Sequence, residues 1–424
     1  MTSTLPTINL YEVLTALPGD RPLLQYEQES LTAAELLERV EMYRQQQAAP
    51  SAFVLHAGNP VAALIQLIAL DGVASQVFLV PESLAESDDF ALLCERFSDY
   101  CSASGHKQSG ATQWLLATSG TTGTPKLIAH DTASLTRALK HNPERGAGYR
   151  WGLVYEPFRF AGLQVLLQSL MAGSELIICH QLPFSEQLSC LRDAKVNALS
   201  ATPTFWRKVL FHGGLEGTPL QQVTLGGEPV DQTLLDALRK YFPQARLTHI
   251  YAATETGVGF AVTDGHEGFP ASWLQTGVRS STGNTKLKET PDGTLALGRP
   301  EQMGGEFIDT GDRIERRGER IVFIGRLSGA INVGGNKVMP EEVELVIRQV
   351  PGVADVRVQG KGSSLVGELV SCQIVPTSDA PEPDLLKQAI LETCRASLAR
   401  FKVPALIGFT TELETNATGK LVRK

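Results

Sequence analysis

The amino-acid sequence predicts an α/β fold, in which a large N-terminal domain of parallel-type sheets with helices and a small β-rich subdomain precedes a small α+β C-terminal domain. Three observations support this prediction. Strand-like and helix-like stretches alternate up to residue 251, as they do in parallel sheets covered by helices. From about residue 258 the apolar segments become short and are separated by Gly, Pro and Asp. Beyond Ser328 and Gly329 comes a unit of about 95 residues with both strand and helix patterns.

The first 110 residues alternate helix and strand signals. Thr32 precedes an amphipathic pattern and is followed three residues later by Glu35, an arrangement typical of a helix capping box. Strands are predicted at 51–56 and 77–80, with a helix at 61–70 between them. A strand, a helix and a strand at this spacing predict a parallel sheet covered by helices.

The same alternation returns between residues 114 and 251. The predicted elements are a strand at 114–117, a helix at 134–140, strands at 152–155 and 176–179 around a helix at 162–171, a helix at 205–210, a strand at 222–225, a helix at 231–241 capped by Asp231, and a strand at 247–251. Ligands of doubly wound sheets bind outside the carboxyl ends of the strands. We therefore expect the loops that follow these strands to converge.

The last part of the chain predicts two smaller structures. Strands at 294–297 and 321–324 belong to the β-rich subdomain. The final unit has helices at 340–349 and 383–398 with strands at 353–358 and 369–375 between them. We place the domain boundary between the β-rich subdomain and the final unit. This gives an N-terminal domain of residues 1–326 and a C-terminal domain of residues 327–424.

Composition limits the classes of function. The chain has 424 residues, of which 42% are hydrophobic and 20% charged, and a net charge of −8. A negative net charge argues against a nucleic-acid partner or an anionic membrane surface. The start of the sequence lacks the basic and apolar segments of a signal peptide, and the apolar stretch 61–70 is too short to insert across a bilayer. Six cysteines without CxxC spacing predict free thiols in a reducing, cytoplasmic compartment.

One loop has the composition of a phosphate-binding segment. It follows the apolar residues 114–117 and consists of small hydroxylated residues and glycines before a lysine, namely Thr118, Ser119, Gly120, Thr121, Thr122, Gly123 and Lys126. Glycines let the backbone approach an anion, the hydroxyls donate hydrogen bonds and Lys126 adds charge. The order of residues is not that of a Walker loop. A solvated surface loop of the same composition is the alternative.

This loop resembles the phosphate-loop signature of the adenylate-forming superfamily, which includes acyl-CoA synthetases, peptide-synthetase adenylation domains and firefly luciferase. Four further segments match in the superfamily's order. Residues 251–255 resemble Y-G-x-T-E, residues 309–312 resemble the T-G-D element, residues 325–344 resemble the hinge and thiol-tunnel segment, and residues 418–420 resemble the catalytic-lysine loop. The matches extend from 118 to 424, and the first hundred residues match only loosely.

The resemblance implies a role for each matched residue in binding ATP and Mg²⁺. The residues implied to contact these groups are Thr118, Ser119, Thr121, Thr122 and Lys126 for the β- and γ-phosphates, with Gly120 and Gly123 in the same loop, Thr254 for the α-phosphate, Glu255 for Mg²⁺, Asp312 with Arg326 for the ribose, Tyr251 for stacking on adenine, and Gly226 and Gly227 for backbone approach to the base. Each has a plainer alternative, such as a core tyrosine for Tyr251 or an interface ion pair for Arg326.

The resemblance also implies two half-reactions and a C-terminal domain that moves between them. Lys420 would bridge the substrate carboxylate and the α-phosphate during adenylation. Rotation about a hinge at Ser328 would then replace Lys420 with a thiol entrance near Gly334 and Gly335, which would admit a pantetheine arm. A solvated tail lysine and a plain turn are the alternatives.

Four positions depart from the superfamily's pattern. Ser328 replaces the usual hinge aspartate, Ala252 replaces a glycine, and Asn332 replaces a common lysine. Arg159 stands where many acyl-CoA synthetases have histidine. Arg159 could pair with a second carboxylate or with a phosphate of CoA, or its stem could pack while its head reaches water.

The acyl pocket is predicted from the aromatic and small residues near these strand ends. The candidate residues are Tyr155, Phe158, Arg159, Gly162, Trp206 and Phe260. They suggest an apolar or aromatic acyl group, although aromatic residues on such elements more often belong to the core.

The leading hypothesis is an AMP-forming ligase that couples a small non-amino carboxylic acid, aryl or fatty, to the thiol of CoA. An amino acid would need a carboxylate for its α-ammonium group, and only Glu156 offers one. A close alternative transfers the acyl group to the phosphopantetheine of an acyl carrier protein. A third hypothesis, a nucleotide or acyl sensor without turnover, conflicts with the presence of Lys126, Glu255, Asp312 and Lys420.

Overall fold

The computed structural model describes residues 9–46, 51–104, 111–118, 126–280, 283–298, 305–363, 367–416 and 419–422. The chain forms two compact units. The first unit consists of Met1–Ser200, Gly214–Val223 and Ala252–Val258, and the second of Ala201–Gly213, Thr224–Tyr251 and Gly259–Lys424. None of the described helices is both long and apolar enough to cross a membrane.

The first unit alternates helices and strands. Its helices are α1 (Leu10–Thr15), α2 (Ala33–Gln46), α3 (Pro60–Leu70), α4 (Glu82–Ala85), α5 (Asp89–Ser104), α6 (Thr132–Thr136), α7 (Pro143–Gly146), α8 (Phe160–Ala172) and α9 (Phe184–Asp193). Its strands are β1 (Pro22–Tyr26), β2 (Glu29–Thr32), β3 (Ala52–His56), β4 (Gln76–Val80), β5 (Gln113–Thr118), β6 (Lys126–His130), β7 (Arg150–Leu153), β8 (Glu175–Ile178) and β9 (Ala198–Ala201).

Two sheets organise this unit. In the first, β3, β4 and β5 are parallel, and β6 is antiparallel to β5. In the second, β7 is parallel to both β8 and β9, β8 is parallel to β1, and β2 is antiparallel to β1. The helices between successive parallel strands cover the sheet faces, which is why helix α3 is buried along most of its length.

The local signals of the sequence explain several boundaries in this unit. The carboxylate of Glu35 accepts a hydrogen bond of 2.8 Å from the Thr32 backbone N–H, as the predicted capping box requires. The predicted helix at 134–140 is wrong at its end, because α6 stops at Thr136. The sequence analysis also makes no prediction for the long helix α5 or for strand β6.

The second unit contains more β-structure. Its helices are α10 (Pro203–His212), α11 (Gln232–Tyr241), α12 (Trp273–Thr276), α13 (Pro340–Ile347) and α14 (Pro383–Ser397). Its strands, some of which extend by a few residues into the first unit, are β10 (Gln222–Gly226), β11 (Arg246–Ala253), β12 (Gly257–Val262), β13 (Phe269–Pro270), β14 (Val278–Ser280), β15 (Gly283–Thr285), β16 (Leu287–Glu289), β17 (Thr294–Gly298), β18 (Phe307–Arg317), β19 (Arg320–Arg326), β20 (Ile331–Val333), β21 (Asn336–Val338), β22 (Val353–Ser363), β23 (Gly367–Pro376) and β24 (Leu406–Phe409).

Two further sheets define the second unit. An antiparallel sheet has the strand order β13-β19-β18-β17-β16, and it is the β-rich subdomain that the sequence predicts. A later sheet has the order β21-β20-β23-β22, with β24 parallel to β23. Buried residues of α13 and α14 pack against this sheet and form a separate apolar core. The boundary predicted between residues 326 and 327 stays a prediction.

Candidate active site

The predicted phosphate loop lies between two antiparallel strands of the first unit, β5 and β6. Thr118 at the end of β5 lies opposite Lys126 at the start of β6. The hydroxyl of Thr118 is buried and has no hydrogen-bond partner among the described residues. A buried hydroxyl without a partner is costly and points to a missing ligand group. The loop residues between them, Ser119, Gly120, Thr121, Thr122 and Gly123, lie outside the described residues.

Thr254 and Glu255 lie in the turn between β11 and β12. The backbone carbonyl of Thr254 lies 2.7 Å from Nε2 of His130, the last residue of β6. Burial lowers the pKa of His130, so the ring is neutral at pH 7 and donates its Nε2 proton to this carbonyl. The sequence analysis does not single out His130, whose partner is a backbone atom. His130 therefore ties this turn to the strand that follows the phosphate loop.

The side chain of Glu255 is exposed and forms no hydrogen bond or ion pair with the described residues. The neighbouring Thr256 hydroxyl, like that of Thr118, is buried without a described partner. A free carboxylate beside unsatisfied hydroxyls is suited to a hard cation and to phosphate oxygens. No cluster of three or more metal-ligating side chains occurs among the described residues.

Arg159 is engaged within the first unit. Its Nε lies 3.3 Å from Glu156 Oε2, and a terminal nitrogen donates to the hydroxyl of Ser83 at 2.9 Å. The backbone N–H and the hydroxyl of Ser83 both donate to the Glu156 carboxylate at 2.7 Å. Arg159 thus pairs with a carboxylate of its own chain. Glu156 is already neutralised and hydrogen-bonded, which makes it a poor partner for the α-ammonium group of an amino acid.

The other acyl-pocket candidates of the first unit are buried. Phe158 is 1% exposed and belongs to the core, and Tyr155 is 7% exposed. Gly162 lies against the backbone of Glu156, because a Cβ at Gly162 would be 2.1 Å from the Glu156 carbonyl oxygen. This contact sets how closely α8 approaches the loop before it.

In the second unit Tyr251, Asp312 and Arg326 form one cluster. The Tyr251 hydroxyl donates to Asp312 Oδ2 at 2.5 Å, and Arg326 Nε lies 3.7 Å from Asp312 Oδ1. Asp312 on β18 and Arg326 at the end of β19 are paired in register, which brings these two charges together. Burial raises the pKa of Asp312, and the Tyr251 hydrogen bond and the charges of Arg326 and Lys420 offset part of that rise.

The ring of Tyr251 is stacked in this cluster. It lies parallel to Phe323 at 4.9 Å between ring centroids and nearly parallel to Phe260 at 5.2 Å. Phe260 is 4% exposed and belongs to an apolar cluster of the β-rich subdomain. Trp206 is fully buried, and its Nε1 donates to the carbonyl of Thr224 at 3.0 Å. The acyl-pocket roles of Phe260 and Trp206 stay predictions.

Lys420 lies beside the glycine turn that follows β10. A Cβ at Gly227 would be 3.1 Å from Lys420 Cε and 3.8 Å from Nζ, so the lysine stem passes along the Gly227 backbone. Gly227 has a φ of +84°, which disfavours other residues. The charge of Lys420 also acts on Asp312. The structure therefore brings Gly227 and Lys420, which are far apart in the sequence, into contact, and the charge of Lys420 lowers the pKa of the Asp312 carboxyl.

Side chains from α10 and the glycine turn contact the backbone around Lys420. The Thr202 hydroxyl donates to the Gly419 carbonyl at 2.7 Å. The Glu228 carboxylate accepts from the backbone N–H of Leu421 at 3.3 Å and from that of Thr204 at 3.0 Å. The sequence analysis predicts none of these contacts. Thr418 lies outside the described residues.

The predicted hinge and thiol entrance form short turns. Ser328 lies in a single 3-10 turn, Leu327–Gly329, directly after β19. Gly334 and Gly335 have φ values of +57° and +86° and connect β20 to β21 as a two-residue hairpin turn. Both positions need positive φ, so the turn itself explains the two glycines. A thiol entrance at this turn stays a prediction.

Each unit, considered by itself, carries groups of the kind that bind part of a nucleotide or a divalent cation. The first unit offers two unsatisfied hydroxyls and a free carboxylate, and the second offers a half-buried carboxylate that faces an arginine. Carboxylates accept hydrogen bonds from ribose hydroxyls, and cationic side chains neutralise phosphate charge.

Two family models match the chain. A model described as AMP-binding enzyme matches residues 77–305, and one described as AMP-binding enzyme C-terminal domain matches residues 342–420. The long-chain-fatty-acid–CoA ligase FadD13 of Mycobacterium tuberculosis is 28% identical over 73% of this chain. The fatty acid–[acyl-carrier-protein] ligase ScoC of Streptomyces coeruleorubidus is also 28% identical over 73% of this chain. The chain spans 66% of the length of each relative, just under two thirds.

A solved structure shares the fold. The o-succinylbenzoate CoA synthetase MenE of Bacillus subtilis, in complex with its acyl-adenylate intermediate, has a TM-score of 0.70 and 20% identity, with 97% of this chain and 96% of that chain covered. This similarity confirms the predicted α/β class with a smaller C-terminal domain. Because the first family model alone matches more than half of the sequence, this chain belongs to the AMP-binding enzyme family.

Proposed function

We propose that this chain is an AMP-forming acid–thiol ligase. It would convert ATP and a non-amino carboxylic acid, aryl or fatty, into acyl-AMP and pyrophosphate, and then transfer the acyl group to the thiol of CoA with release of AMP. The observation that supports this most directly is the position of Lys420 along the backbone of Gly227, where its charge also acts on Asp312. A catalytic lysine of this reaction must reach the nucleotide, and here it lies beside the glycine implied to approach the base.

In the first step an oxygen of the substrate carboxylate attacks the α-phosphorus of ATP, and the bond to pyrophosphate breaks. Negative charge increases on the oxygens around the α-phosphorus, and a fixed cation at that point lowers the barrier. We assign this role to Lys420, and we assign orientation of the ribose to Asp312. Thr118 and Lys126, at the two ends of the phosphate loop, would bind the departing phosphates. Mg²⁺ bound by Glu255 and phosphate oxygens would supply further charge neutralisation.

In the second step the thiol sulfur attacks the acyl carbonyl carbon, and AMP leaves with the bonding electron pair. AMP is a far better leaving group than oxide, which is why the first step is needed. Lys420 has no implied function in this step. The use of a charge in only one of two steps supports a C-terminal domain that moves between them.

A carrier protein is the second candidate acceptor. The printed name of ScoC describes a ligase that acts on an acyl carrier protein, whereas that of FadD13 describes a CoA ligase. Both acceptors present the same phosphopantetheine thiol, so both fit one reaction. The structure gives less support to an amino-acid substrate, because Glu156 is already paired with Arg159.

We also place the reaction in the cytoplasm. The six cysteines are free thiols, three of them buried and three half-buried, which is compatible with a reducing compartment.

The test is the exchange of labelled pyrophosphate into ATP in the presence of a panel of aliphatic and aryl acids. We expect at least one acid to support exchange, because the first step is reversible. If no acid supports exchange, the chain is a nucleotide or acyl sensor and the proposal is wrong. With the acid found, thioester formation on CoA and on a phosphopantetheinylated carrier protein then identifies the acceptor.

A further inference from the structure

The two residues on either side of Lys420 are each hydrogen-bonded by a side chain from another part of the second unit. The Thr202 hydroxyl donates to the Gly419 carbonyl at 2.7 Å, and the Glu228 carboxylate accepts from the Leu421 N–H at 3.3 Å. We propose that Thr202 and Glu228 are positioning residues that hold Lys420 in its adenylation position. This inference rests on the proposed function for the role of Lys420.

The backbone of Lys420 itself is also fully satisfied. Its N–H donates to the side chain of Asn416 at 3.1 Å, and its carbonyl accepts from the Asn416 N–H at 2.8 Å. Both bonds join Asn416 to Lys420, so they lie within the C-terminal tail, residues 415–424. They cannot fix where this tail lies relative to the rest of the second unit. Only bonds to residues outside the tail, such as Thr202 and Glu228, can do that.

The chemistry of the two outside bonds suits a docking function. Thr202 donates to a carbonyl and Glu228 accepts from an N–H, so the two contacts have opposite polarity and define one direction of the backbone. Lysine has a long, flexible side chain whose position depends on its backbone. Fixing the residue before and the residue after Lys420 therefore limits where the ammonium group can lie.

Both positioning residues are attached to rigid parts of the site. Thr202 is the N-cap of α10, since its hydroxyl oxygen also accepts from the Phe205 N–H at 3.1 Å. Glu228 directly follows Gly227, along which the Lys420 stem passes. The turn that is implied to approach the base therefore also holds the tail that brings the lysine.

A nearby ion pair provides a matched control. Lys208 on α10 lies 2.8 Å from Glu412, which precedes the tail, but the Glu412 side chain is 67% exposed. An exposed pair of this kind contributes little, and it does not flank Lys420. The variant Glu412→Gln removes a link between the same two regions without removing either proposed docking bond.

The first experiment compares the two half-reactions. In Glu228→Gln and Thr202→Val we expect pyrophosphate exchange to fall about tenfold. Thr202→Val removes one docking bond, and Glu228→Gln leaves a single oxygen for which the N–H groups of Leu421 and Thr204 compete. Acyl transfer from synthetic octanoyl-AMP or benzoyl-AMP, whichever matches the acid that supports exchange, should stay within about twofold. Thr202→Ser retains the hydroxyl and should restore exchange. An equal loss in both half-reactions would show a purely structural role and overturn the proposal.

The second experiment needs no substrate. Trypsin cleavage after Lys420 removes residues 421–424 from this chain, and intact-mass measurement of the native chain under limited digestion distinguishes this product from that of cleavage after Arg423. Proteolysis of a native chain follows the population of the opened state. We expect cleavage to be about five- to tenfold faster in Glu228→Gln and Thr202→Val, and unchanged in Glu412→Gln. Glu228→Gln keeps the Thr202 hydroxyl that caps α10 and one oxygen that can still accept from the Thr204 N–H, so it tests docking even if Thr202→Val folds poorly.

The two experiments separate this inference from the proposed function. If the wild-type chain shows no exchange with any acid but the two variants are cleaved faster, the proposed function is wrong. The docking contacts then hold the segment around Lys420 in place but have no role in adenylation. If the wild-type chain exchanges normally while both variants match it in exchange and in cleavage, the positioning role is wrong.

Discussion

At the scale of single residues, the proposed ribose ligand Asp312 gives the most direct test of nucleotide binding. It accepts from the Tyr251 hydroxyl and faces the Arg326 guanidinium. In the variant Asp312→Asn we expect the Kd for AMP to rise at least tenfold, because a hydrogen bond to a charged acceptor contributes about 1.5–3 kcal/mol. Isothermal titration calorimetry with AMP measures this. An unchanged Kd would show that Asp312 does not bind the ribose.

The pH dependence of AMP binding gives an independent test of Asp312. Burial raises the pKa of this carboxyl, so it takes up a proton at a pH above the usual aspartate value of about 3.9. The protonated carboxyl accepts hydrogen bonds less well, so wild-type affinity should fall as the pH decreases through this range. The AMP phosphate also titrates in this range, but it affects both proteins equally. Its effect therefore cancels when the wild-type affinity is divided by that of Asp312→Asn at each pH. A ratio that does not change down to pH 4 would contradict the raised pKa.

The sequence predicts candidate residues of the site but not the contacts that hold them. Tyr251, Asp312 and Lys420 follow from motifs, because the chemistry requires those residue types at those places. Thr202 and Glu228 do not, because they bond to backbone groups, and any residue supplies a backbone N–H or carbonyl. The contact of His130 is not predicted for the same reason, because its partner is the backbone carbonyl of Thr254.

At the scale of elements, the start of helix α11 joins three parts of the second unit. Asp231 caps the helix by accepting from the Leu234 N–H at 2.9 Å, and its other oxygen pairs with Arg207 on α10. Burial raises the pKa of Asp231, but the charges of Arg207 and Arg348 more than offset this, so the pKa lies below its usual range. Arg348 follows α13, so these charges connect α10, α11 and the region after α13.

Removal of the Asp231 side chain should therefore destabilise the fold strongly. In Asp231→Ala we expect a loss of about 3–5 kcal/mol in the free energy of unfolding, because the variant leaves the nearly buried Arg207 without its partner. Urea unfolding followed by circular dichroism measures this loss, and Glu412→Gln should change the free energy by less than about 1 kcal/mol. A loss as small as that of the control would show that the pair contributes little.

The sign of the pH effect follows from the direction of the shift. A carboxyl whose pKa is lower in the folded state stabilises the fold above the unfolded value of about 3.9 and loses that contribution as the pH falls through the folded value. The contribution of Asp231 is thus complete at neutral pH and decreases only in strong acid.

Elements with a local signal are the ones that the sequence predicts well. The predicted helix at 231–241 becomes α11 with Asp231 as its cap, and the apolar stretch 61–70 becomes α3. Strand β6 differs, because its identity as a strand lies in its antiparallel pairing with β5, a contact that local periodicity does not encode. The end of α6 at Thr136 likewise has no Gly or Pro to mark it.

At the scale of the whole molecule, the proposal requires that one arrangement of the chain serves adenylation and another serves thiol transfer. In this structure the Lys420 side chain lies along the backbone of Gly227, which is implied to approach the base. In Lys420→Ala we expect adenylation to fall by about 100-fold or more, because the lost charge acts on the first transition state, and acyl transfer from synthetic acyl-AMP to change little. Rapid-quench assays of each half-reaction measure this. Equal losses would contradict the use of Lys420 in one step only.

The turn at Gly334 and Gly335 provides the opposite test. A two-residue turn with positive φ at both positions accepts Asn-Gly as well as Gly-Gly, so Gly334→Asn should preserve the hairpin between β20 and β21. A Cβ at Gly334 meets no atom within 4 Å, so the new side chain has room in this arrangement and obstructs only what approaches the turn from outside. If pantetheine passes here, acyl transfer should fall by about tenfold or more while pyrophosphate exchange is retained, because misplacing the thiol affects only the second step.

The pair of variants then separates the two steps, since Lys420→Ala impairs the first and Gly334→Asn impairs the second. Normal transfer in Gly334→Asn would mean that the glycines serve the turn alone and that the thiol enters elsewhere.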